Sequence, residues 1–214
     1  MEFRYQKEQL IKHLQASGYI KSSKVKGVML KVPRELFVPE NYYELAYADK
    51  PLQIPGGQTI SAPHMHAIIL SELKLKQNEK VLEVGCGSGI LLAYLNEIVG
   101  KVVGIEINKQ TYEFAKKNLE KSGYRDIILI HGDGSLGYKK YAPYDKIIVS
   151  AASPDIPKPL IEQLKPNGVL IVVIGSLLEG QNLIKITKTK SGKLISKELM
   201  GVVFVPLTGK YGWK

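Results

Sequence analysis

The spacing of hydrophobic residues changes near residue 80 of the chain. Before that point, apolar residues three to four positions apart predict a helix over residues 3–17. A second helix is predicted from Ser22 or Ser23 up to Pro33, because serine favours a helix start and proline a stop. Residues 36–47, rich in tyrosine and carrying a proline, are predicted to be irregular.

From residue 80 onward, short apolar runs with many β-branched residues alternate with helix-like segments. The predicted strands cover residues 81–84, 102–105, 127–130, 146–149, 169–174, 183–189 and 201–205. The predicted helices cover residues 90–98, 109–121 and 159–164. This alternation indicates βαβ units and right-handed crossovers. We therefore predict an α/β, Rossmann-like fold: a largely parallel seven-stranded sheet, helices on both faces and an N-terminal helical extension.

The same change of pattern divides the chain into two parts. We predict that residues 1–78 form N-terminal helices and a loop for the substrate, packed on the core. Residues 79–214 are predicted to form that core as one structural unit. A chain of 214 residues that is 44% hydrophobic is long enough for one sizeable core.

Residues 80–89, KVLEVGCGSG, form the most informative stretch of the sequence. A buried strand is followed by Gly85, Gly87 and Gly89 and then by a helix, which brings bare backbone to the carboxyl edge of a sheet. A dinucleotide fingerprint would need glycine at position 90, which is isoleucine. The G-x-G-x-G spacing, with Glu83 two residues before it, resembles S-adenosylmethionine (SAM)-dependent methyltransferases of the Rossmann-like class. A tight turn without a ligand is the alternative.

Two further acids follow predicted strands at the same edge of the sheet. Glu106 stands at the spacing from the glycines at which a carboxylate accepts both ribose hydroxyls. Asp133, flanked by Gly132 and Gly134, could accept a hydrogen bond from an adenine amino group. The alternatives are a surface acid for Glu106 and a purely turn-forming aspartate for Asp133. Together these strand ends predict one ligand cleft.

Residues 51–66, PLQIPGGQTISAPHMH, predict a loop that enters a helix at Pro63. Thr59 and Ser61 lie on this loop, and the free N–H groups of a helix N-terminus suit a carboxylate. The cap of this helix is predicted at Ser61 or Ala62, and in the alternative Ser61 is only an ordinary helix cap. His64 and His66 are two positions apart and point to different sides of a helix, so we predict no metal site.

The net charge of +10 and the sequence pI near 9.4 make nucleic acid a partner to consider. The lysines are interleaved with acids, which favours a solvated surface. SAASP, after the fourth predicted strand, differs from the Asn-Pro-Pro-Tyr-type box of enzymes that methylate bases. Cys86 is the single cysteine, no signal-peptide core is visible, and the run 169–174 is too short to span a bilayer. We expect a cytoplasmic protein without membrane contact.

Residues 56–66, GGQTISAPHMH, resemble the protein-L-isoaspartate (D-aspartate) O-methyltransferase family. The resemblance covers nearly the whole chain, with further matching stretches at 81–89, 131–135, 142–152, 164–175 and 202–214. Cys86 stands where serine or threonine is more usual. The resemblance implies methyl transfer from SAM to the free α-carboxyl of L-isoaspartyl residues in damaged polypeptides, followed by closure to a succinimide. Whether D-aspartyl residues also react stays open.

The resemblance places the functional serine on Ser61, with Thr59 as a second substrate contact. The expected cofactor contacts, for SAM and its product S-adenosylhomocysteine, are Glu83, Gly85, Gly87, Gly89, Glu106, Ile107, Asp133, Gly134 and His64. A free α-carboxyl, with a pKa of ~3.5, needs no general base, so we expect Ser61 to orient it. A Ser-His nucleophile would need an acid to orient His64, and none is apparent in the loop. A nucleic-acid methyltransferase and a non-catalytic SAM-binding module are the alternatives.

Overall fold

The computed structural model describes residues 2–213, with the side chains from residue 3. The two predicted parts of the chain, 1–78 and 79–214, start and end at residues 1 and 214, which lie outside the described residues. The N-terminal elements are α1 (Glu2–Ala16), α2 (Ser23–Lys31), 3₁₀ turns at Arg34–Phe37 and Glu40–Leu45, β1 (Leu52–Ile54), β2 (Gln58–Ile60) and α3 (Pro63–Leu73). The predicted N-terminal helical extension is therefore present.

The remaining elements build one large sheet and its helices. They are β3 (Lys80–Val84), α4 (Ile90–Asn96), β4 (Lys101–Glu106), α5 (Lys109–Lys121), β5 (Ile128–His131), β6 (Tyr144–Ser153), α6 (Lys158–Gln163), β7 (Leu164–Ser176), β8 (Gly180–Lys188) and β9 (Leu194–Val202). The sheet has seven strands in the order β5-β4-β3-β6-β7-β8-β9. Strands β3 to β7 pair in parallel, and β8 and β9 pair antiparallel. The predicted largely parallel seven-stranded sheet is confirmed.

Three local predictions were wrong. Residues 36–47 contain 3₁₀ turns, and the predicted loop 51–66 contains the β1–β2 hairpin, whose strands of three residues are too short to show a period. The last strand is β9, not residues 201–205. It is an edge strand that is mostly exposed, so its sequence LISKELMGV lacks the apolar run of a buried strand.

The order of the strands places a crevice at the carboxyl end of β3. From β3 the chain moves outward to β4 and β5, and then returns to the other side of β3 to form β6. Loops that leave β3 and β6 therefore diverge, and ligands of open α/β sheets bind where such loops separate. The turn after β3 is the glycine-rich stretch, so the fold brings that turn to this crevice.

Two hydrophobic clusters lie on opposite faces of the sheet. Val81 and Ile148 point into the first cluster, whereas their neighbours Leu82 and Ile147 point into the second, as the two-residue period of a strand requires. Residues of α1 to α5 contribute to the first cluster and Leu160 of α6 to the second, which confirms helices on both faces. The N-terminal elements thus share a core with the sheet, while the boundary at residues 78 and 79 stays a prediction.

The β1–β2 hairpin is fastened to the start of α5. Thr111 Oγ1 donates a hydrogen bond to the carbonyl of Pro55 at 2.9 Å, and Asn108 Nδ2 donates to the carbonyl of Gly56 at 3.3 Å. A Cβ on Gly56 would lie 2.4 Å from Thr111 Oγ1, so only glycine allows this approach. The hairpin is thereby held at the carboxyl edge of the sheet.

Candidate active site

The glycine turn after β3 adopts the conformation that its sequence predicts. Gly85, Gly87 and Gly89 have φ angles of +72°, +56° and +85°, which residues with a Cβ atom rarely adopt. The amide of Gly85 donates to the carbonyl of Ile105 at 2.8 Å and ties the turn to the neighbouring strand. Gly89 is the N-cap of α4, so the turn presents backbone at the crevice and then enters a helix.

Glu106 ends β4 and closes one side of this turn. It is 5% exposed, and its carboxylate accepts hydrogen bonds from the amides of Gly87 at 3.1 Å and Asn108 at 2.9 Å. Burial raises the pKa of Glu106 more than these hydrogen bonds lower it. A cavity of about 320 Å³, here the Glu106 cavity, opens in front of it. Its lining includes the predicted residues Thr59, Gly85, Gly87, Glu106 and Ile107.

Glu83 lies behind the turn with one carboxylate oxygen bonded and the other free. It is 2% exposed, and Oε1 accepts a hydrogen bond from Ser150 Oγ at 2.8 Å. Oε2 has no hydrogen-bond partner among the described residues. Burial raises the pKa of Glu83 to about 8, with the Ser150 hydrogen bond acting against the rise and Glu106 adding to it. Glu83 lines a small cavity of about 30 Å³ together with Gly85, Gly87 and Ser150.

Asp133 and Gly134 do not join these residues. Asp133 Oδ1 accepts hydrogen bonds from the amide of Ser135 at 2.9 Å and from its hydroxyl at 2.6 Å. Its Oδ2 accepts from the amide of Lys210 at 2.8 Å, so the carboxylate holds its own turn to the C-terminal segment. A Cβ on Gly134 would lie 2.6 Å from Val84 Cγ1, so this glycine is required by packing. Asp133 therefore shapes its turn in this conformation, and its contact with an adenine stays a prediction.

A second cavity of about 260 Å³, here the Ser61 cavity, adjoins the first. It is lined by Ser61 and His64 and by residues 200–205, at the end of β9 and directly after it. Thr59, Ser150 and Val205 line both this cavity and the Glu106 cavity. The predicted cofactor contact His64 thus lies on the Ser61 cavity, and the predicted substrate contact Thr59 lies where the two cavities meet.

Helix α3 begins at Pro63, as the sequence predicts, but one of its N-terminal amides is already occupied. The N-cap residue is Ala62, with no side-chain capping hydrogen bond, so Ser61 is not a helix cap. The amide of His64 donates to Asp49 Oδ1 at 2.9 Å, and the amide of Met65 donates to the carbonyl of Ala62 at 3.0 Å. The amide of His64, which we expected to be free for a carboxylate, is already occupied by the carboxylate of Asp49. The hydroxyl of Ser61 becomes the principal donor of the loop.

Asp49 also corrects the expectation that no acid orients His64. Its Oδ1 lies 2.9 Å from His64 Nδ1, and its Oδ2 lies 3.9 Å from His13 Nε2. The imidazole of His64 packs on the ring of Tyr19, with ring centroids 5.4 Å apart. Sequence analysis missed Asp49 because it lies outside the loop, fifteen positions before His64. Among the described residues, no hydrogen bond joins Ser61 to His64, so the pair is not assembled as a nucleophile and base.

Ser150 is the other site residue that sequence analysis missed. It lines all three cavities and holds Glu83. The signal was present, because the SAASP stretch begins inside β6, the strand next to β3, directly after the last residue that pairs with β3.

The arrangement defines a class of protein. A largely parallel sheet of this order, a G-x-G-x-G turn and a buried acid at the end of β4 make the chain a Rossmann-like, SAM-dependent methyltransferase. The family model described as "Protein-L-isoaspartate(D-aspartate) O-methyltransferase (PCMT)" matches residues 5–212. The chain belongs to this family, whose enzymes methylate isoaspartyl residues in protein repair.

Similar proteins agree over almost the full length. A protein-L-isoaspartate O-methyltransferase from Hyperthermus butylicus is 49% identical, over 99% of this chain and 92% of its own. The enzyme of that name from Pyrococcus horikoshii is 50% identical, over 95% and 93% of the two chains. A solved structure of a putative family member from Plasmodium falciparum, in complex with S-adenosyl-L-homocysteine, is 30% identical. It has a TM-score of 0.82 and covers 94% of this chain and 97% of its own.

The described residues offer neither a metal site nor a membrane-spanning helix. No group of three or more His, Cys, Asp or Glu side chains in residues 3–213 could hold a metal ion. Over the described part of the chain, no helix has the length and apolar character needed to cross a membrane.

Proposed function

We propose that this enzyme transfers the methyl group of SAM to the free α-carboxylate of L-isoaspartyl residues in polypeptides. The observation that carries the proposal is the meeting of the two cavities at Thr59, Ser150 and Val205. One cavity has the buried acid and bare backbone that a nucleoside with a charged tail needs. The other has the hydroxyl of Ser61, which makes no hydrogen bond to another described residue, on a loop that resembles that of the isoaspartate methyltransferases.

The residues fit SAM group by group. Glu106 keeps lone pairs for the two ribose hydroxyls, and Ile107, 39% exposed, offers an apolar surface to the base. Gly85 and Gly87 admit the methionine part because they carry no Cβ. The unpartnered Oε2 of Glu83 is buried where an α-ammonium group would satisfy it. Gly89 shapes the turn, and Asp133 with Gly134 stays a proposed contact of the adenine, through the one lone pair of Oδ2 that its turn leaves free.

We assign Thr59, Ser61 and His64 to the substrate side. The α-carboxylate is ionised at neutral pH, with a pKa of ~3.5, so no base is required. Ser61 Oγ donates to one carboxylate oxygen, which turns the other oxygen toward the junction of the cavities. Asp49 fixes the ring of His64, so His64 forms a rigid wall of the Ser61 cavity.

The bound cofactor supplies an activated methyl group on a sulfonium. In the reaction, a carboxylate oxygen forms a bond to the methyl carbon as the sulfur–carbon bond breaks, and the electron pair remains on sulfur. One negative and one positive charge disappear together, so the site does not have to stabilise a new charge. Its task is to align the two groups and exclude water.

The decisive experiment is methyl transfer from labelled SAM to a peptide with one isoaspartyl residue. The same peptide with a normal aspartyl residue is the substrate control, and Glu106→Ala is the protein control. We expect label in the isoaspartyl peptide alone, as a base-labile ester, and little label with the variant. Equal labelling of both peptides would contradict the proposed substrate. A D-aspartyl peptide in the same assay tests the wider substrate range in the family's name.

The rival function is methylation of nucleic acid. A cleft of about 940 Å³ beside α2 and β8 favours it, since its lining includes Lys21, Lys24, Lys74, Lys185 and Lys197. Two of these lysines already pair with Glu72, at 2.7 and 3.3 Å, which lowers the charge available to phosphates. We propose that the enzyme works in the cytoplasm on polypeptides, without nucleic-acid or membrane partners. Salt-sensitive binding of tRNA or duplex DNA, with methyl incorporation, would reverse this choice.

A further inference from the structure

Arg34 lies beneath the loop that carries Ser61, and no motif in the sequence pointed to it. It is 1% exposed although it belongs to a 3₁₀ turn of the N-terminal segment. Its Nη2 donates a hydrogen bond to the carbonyl of Ser61 at 2.8 Å. Its Nε donates to the carbonyl of Ala46 at 2.8 Å, and Nη1 lies 3.4 Å from Nδ1 of His66.

The acceptors of these hydrogen bonds are all uncharged. His66 is fully buried, and burial, followed by the charge of Arg34, holds its pKa well below the ordinary value. The imidazole is therefore neutral, and Nδ1 accepts from the guanidinium. A buried charge normally has an ionised partner. Burial lowers the pKa of Arg34, but an arginine remains protonated at neutral pH.

The other charged groups near Arg34 do not neutralise it by direct contact. Asp49 attracts Arg34 from a distance, while its own carboxylate oxygens accept from His64 and face His13. The carboxylate of Glu35 accepts a hydrogen bond from Tyr47. The positive charge thus lies within hydrogen-bonding distance of the backbone of Ser61, a residue that lines the cavity in which the proposed function places a carboxylate.

We propose that Arg34 is a positioning and specificity-determining residue, which fixes Ser61 through its carbonyl and selects an anionic substrate group above it. The inference rests on the proposed function. A guanidinium bonded to the Ser61 carbonyl polarises that peptide group, which makes the N–H of Ala62, a residue that lines the Ser61 cavity, a stronger donor. The fork of Arg34 also joins Ser61 to Ala46, so the loop and the N-terminal segment move as one unit.

The attraction ends with the reaction. Methyl transfer converts the carboxylate into a neutral ester, which Arg34 holds no better than any other neutral group. The same charge that draws the substrate into the Ser61 cavity therefore does not retain the product. This asymmetry favours a substrate with a free carboxylate over an already esterified residue.

The test measures binding, so that it does not depend on turnover. Two peptides that differ only in the α-carboxylate or the α-carboxamide of the isoaspartyl residue are titrated into protein saturated with S-adenosylhomocysteine. We compare the wild type with Arg34→Met, which removes the charge, and Arg34→Lys, which keeps it but cannot reach both carbonyls. Phe37→Leu, at a fully buried position of the same 3₁₀ turn, is the control for lost stability.

We expect the preference for carboxylate over carboxamide to fall ~10-fold in Arg34→Met and to stay within about threefold in Arg34→Lys and Phe37→Leu. In Arg34→Lys, kcat should fall while the affinity for SAM is unchanged. An unchanged preference in Arg34→Met, or an equal loss in Phe37→Leu, would overturn the proposal. If Arg34→Met does not fold, Arg34→Lys decides the question. A kept preference with a lower kcat supports the proposal, and a lost preference overturns it. Absence of methyl transfer by the wild type would instead refute the proposed function.

Discussion

Replacing Glu83 by glutamine is expected to change the stability and the cofactor affinity of this enzyme in opposite directions. The substitution keeps the shape of the side chain and removes its titration. In the folded protein Glu83 has a pKa of about 8, against an ordinary value of 4.5, because burial penalises its ionised form. Between these two values the unfolded chain carries Glu83 ionised, while the folded cofactor-free protein carries it neutral.

The sign and size of the stability effect follow from that difference. The unfolded state binds fewer protons than the folded state in this window, so stability falls as pH rises. The fall is about 1.4 kcal/mol per pH unit in the window, which gives ~2.5 kcal/mol between pH 5 and pH 7 as an upper estimate. Glu83→Gln removes this contribution. Denaturant unfolding at several pH values should therefore show the variant gaining stability over the wild type toward neutral pH.

Cofactor binding should reverse the preference of Glu83. An α-ammonium group beside Oε2 favours the ionised carboxylate, so binding at pH 7 should release about 0.9 proton, the fraction protonated at a pKa of about 8. Calorimetry of SAM binding in two buffers of different ionisation enthalpy measures that number. Glu83→Gln should abolish the release and bind SAM ~10-fold or more weakly.

Ser150 provides an internal check on the same reasoning. Its hydroxyl donates to Glu83 and lowers the pKa of that carboxyl, so Ser150→Ala should move the proton release to higher pH, whereas Ser150→Thr keeps the donor. The reasoning is refuted if the wild type releases no proton on binding SAM between pH 6 and pH 8. It also fails if Glu83→Gln binds SAM as tightly as the wild type does.

Three further changes test other parts of the site. Glu106→Ala should weaken SAM binding by ~1–3 kcal/mol in calorimetry, because two buried hydroxyls lose their acceptor; unchanged affinity would remove Glu106 from the site. Ser61→Ala should lower kcat by on the order of 10² without changing SAM affinity, and kcat should stay flat from about pH 6 to 8; a steep rise with pH would indicate a base. Gly134→Ala should lower the unfolding free energy by ~1–3 kcal/mol, since its Cβ would meet Val84 Cγ1 at 2.6 Å. Gly132→Ala, in open space, should not, and equal losses would contradict the packing argument.

The elements with strong local signals were predictable from the sequence. Strand β3 is a buried apolar run, and the turn at Gly85 to Gly89 has three positive φ angles. The residue types alone predict both features, because apolar residues favour burial and glycine allows positive φ. Strand β9 was not predictable in the same way. As an edge strand it exposes most of its side chains, so pairing with β8 determines its place rather than burial.

The site was predictable where residues close in sequence meet, and not where distant segments do. Glu106 could be placed because it ends a strand beside the glycine turn. Asp49 and Arg34 could not, because each reaches the substrate loop from the N-terminal segment through long-range packing. Asp49 also changed the chemistry expected of α3, since it occupies the amide of His64 that a carboxylate was expected to bind.

The attachment of the β1–β2 hairpin to α5 makes the two binding events interdependent. The side-chain amide of Asn108 donates a hydrogen bond to the Gly56 carbonyl, and its backbone N–H donates one to the carboxylate of Glu106. A cofactor that orders Glu106 and Asn108 therefore orders the strand that leads to Thr59 and Ser61. By thermodynamic linkage, SAM and the damaged polypeptide must then raise each other's affinity by the same factor. Amide hydrogen exchange of residues 51–62 should slow when SAM alone is added, before any polypeptide arrives.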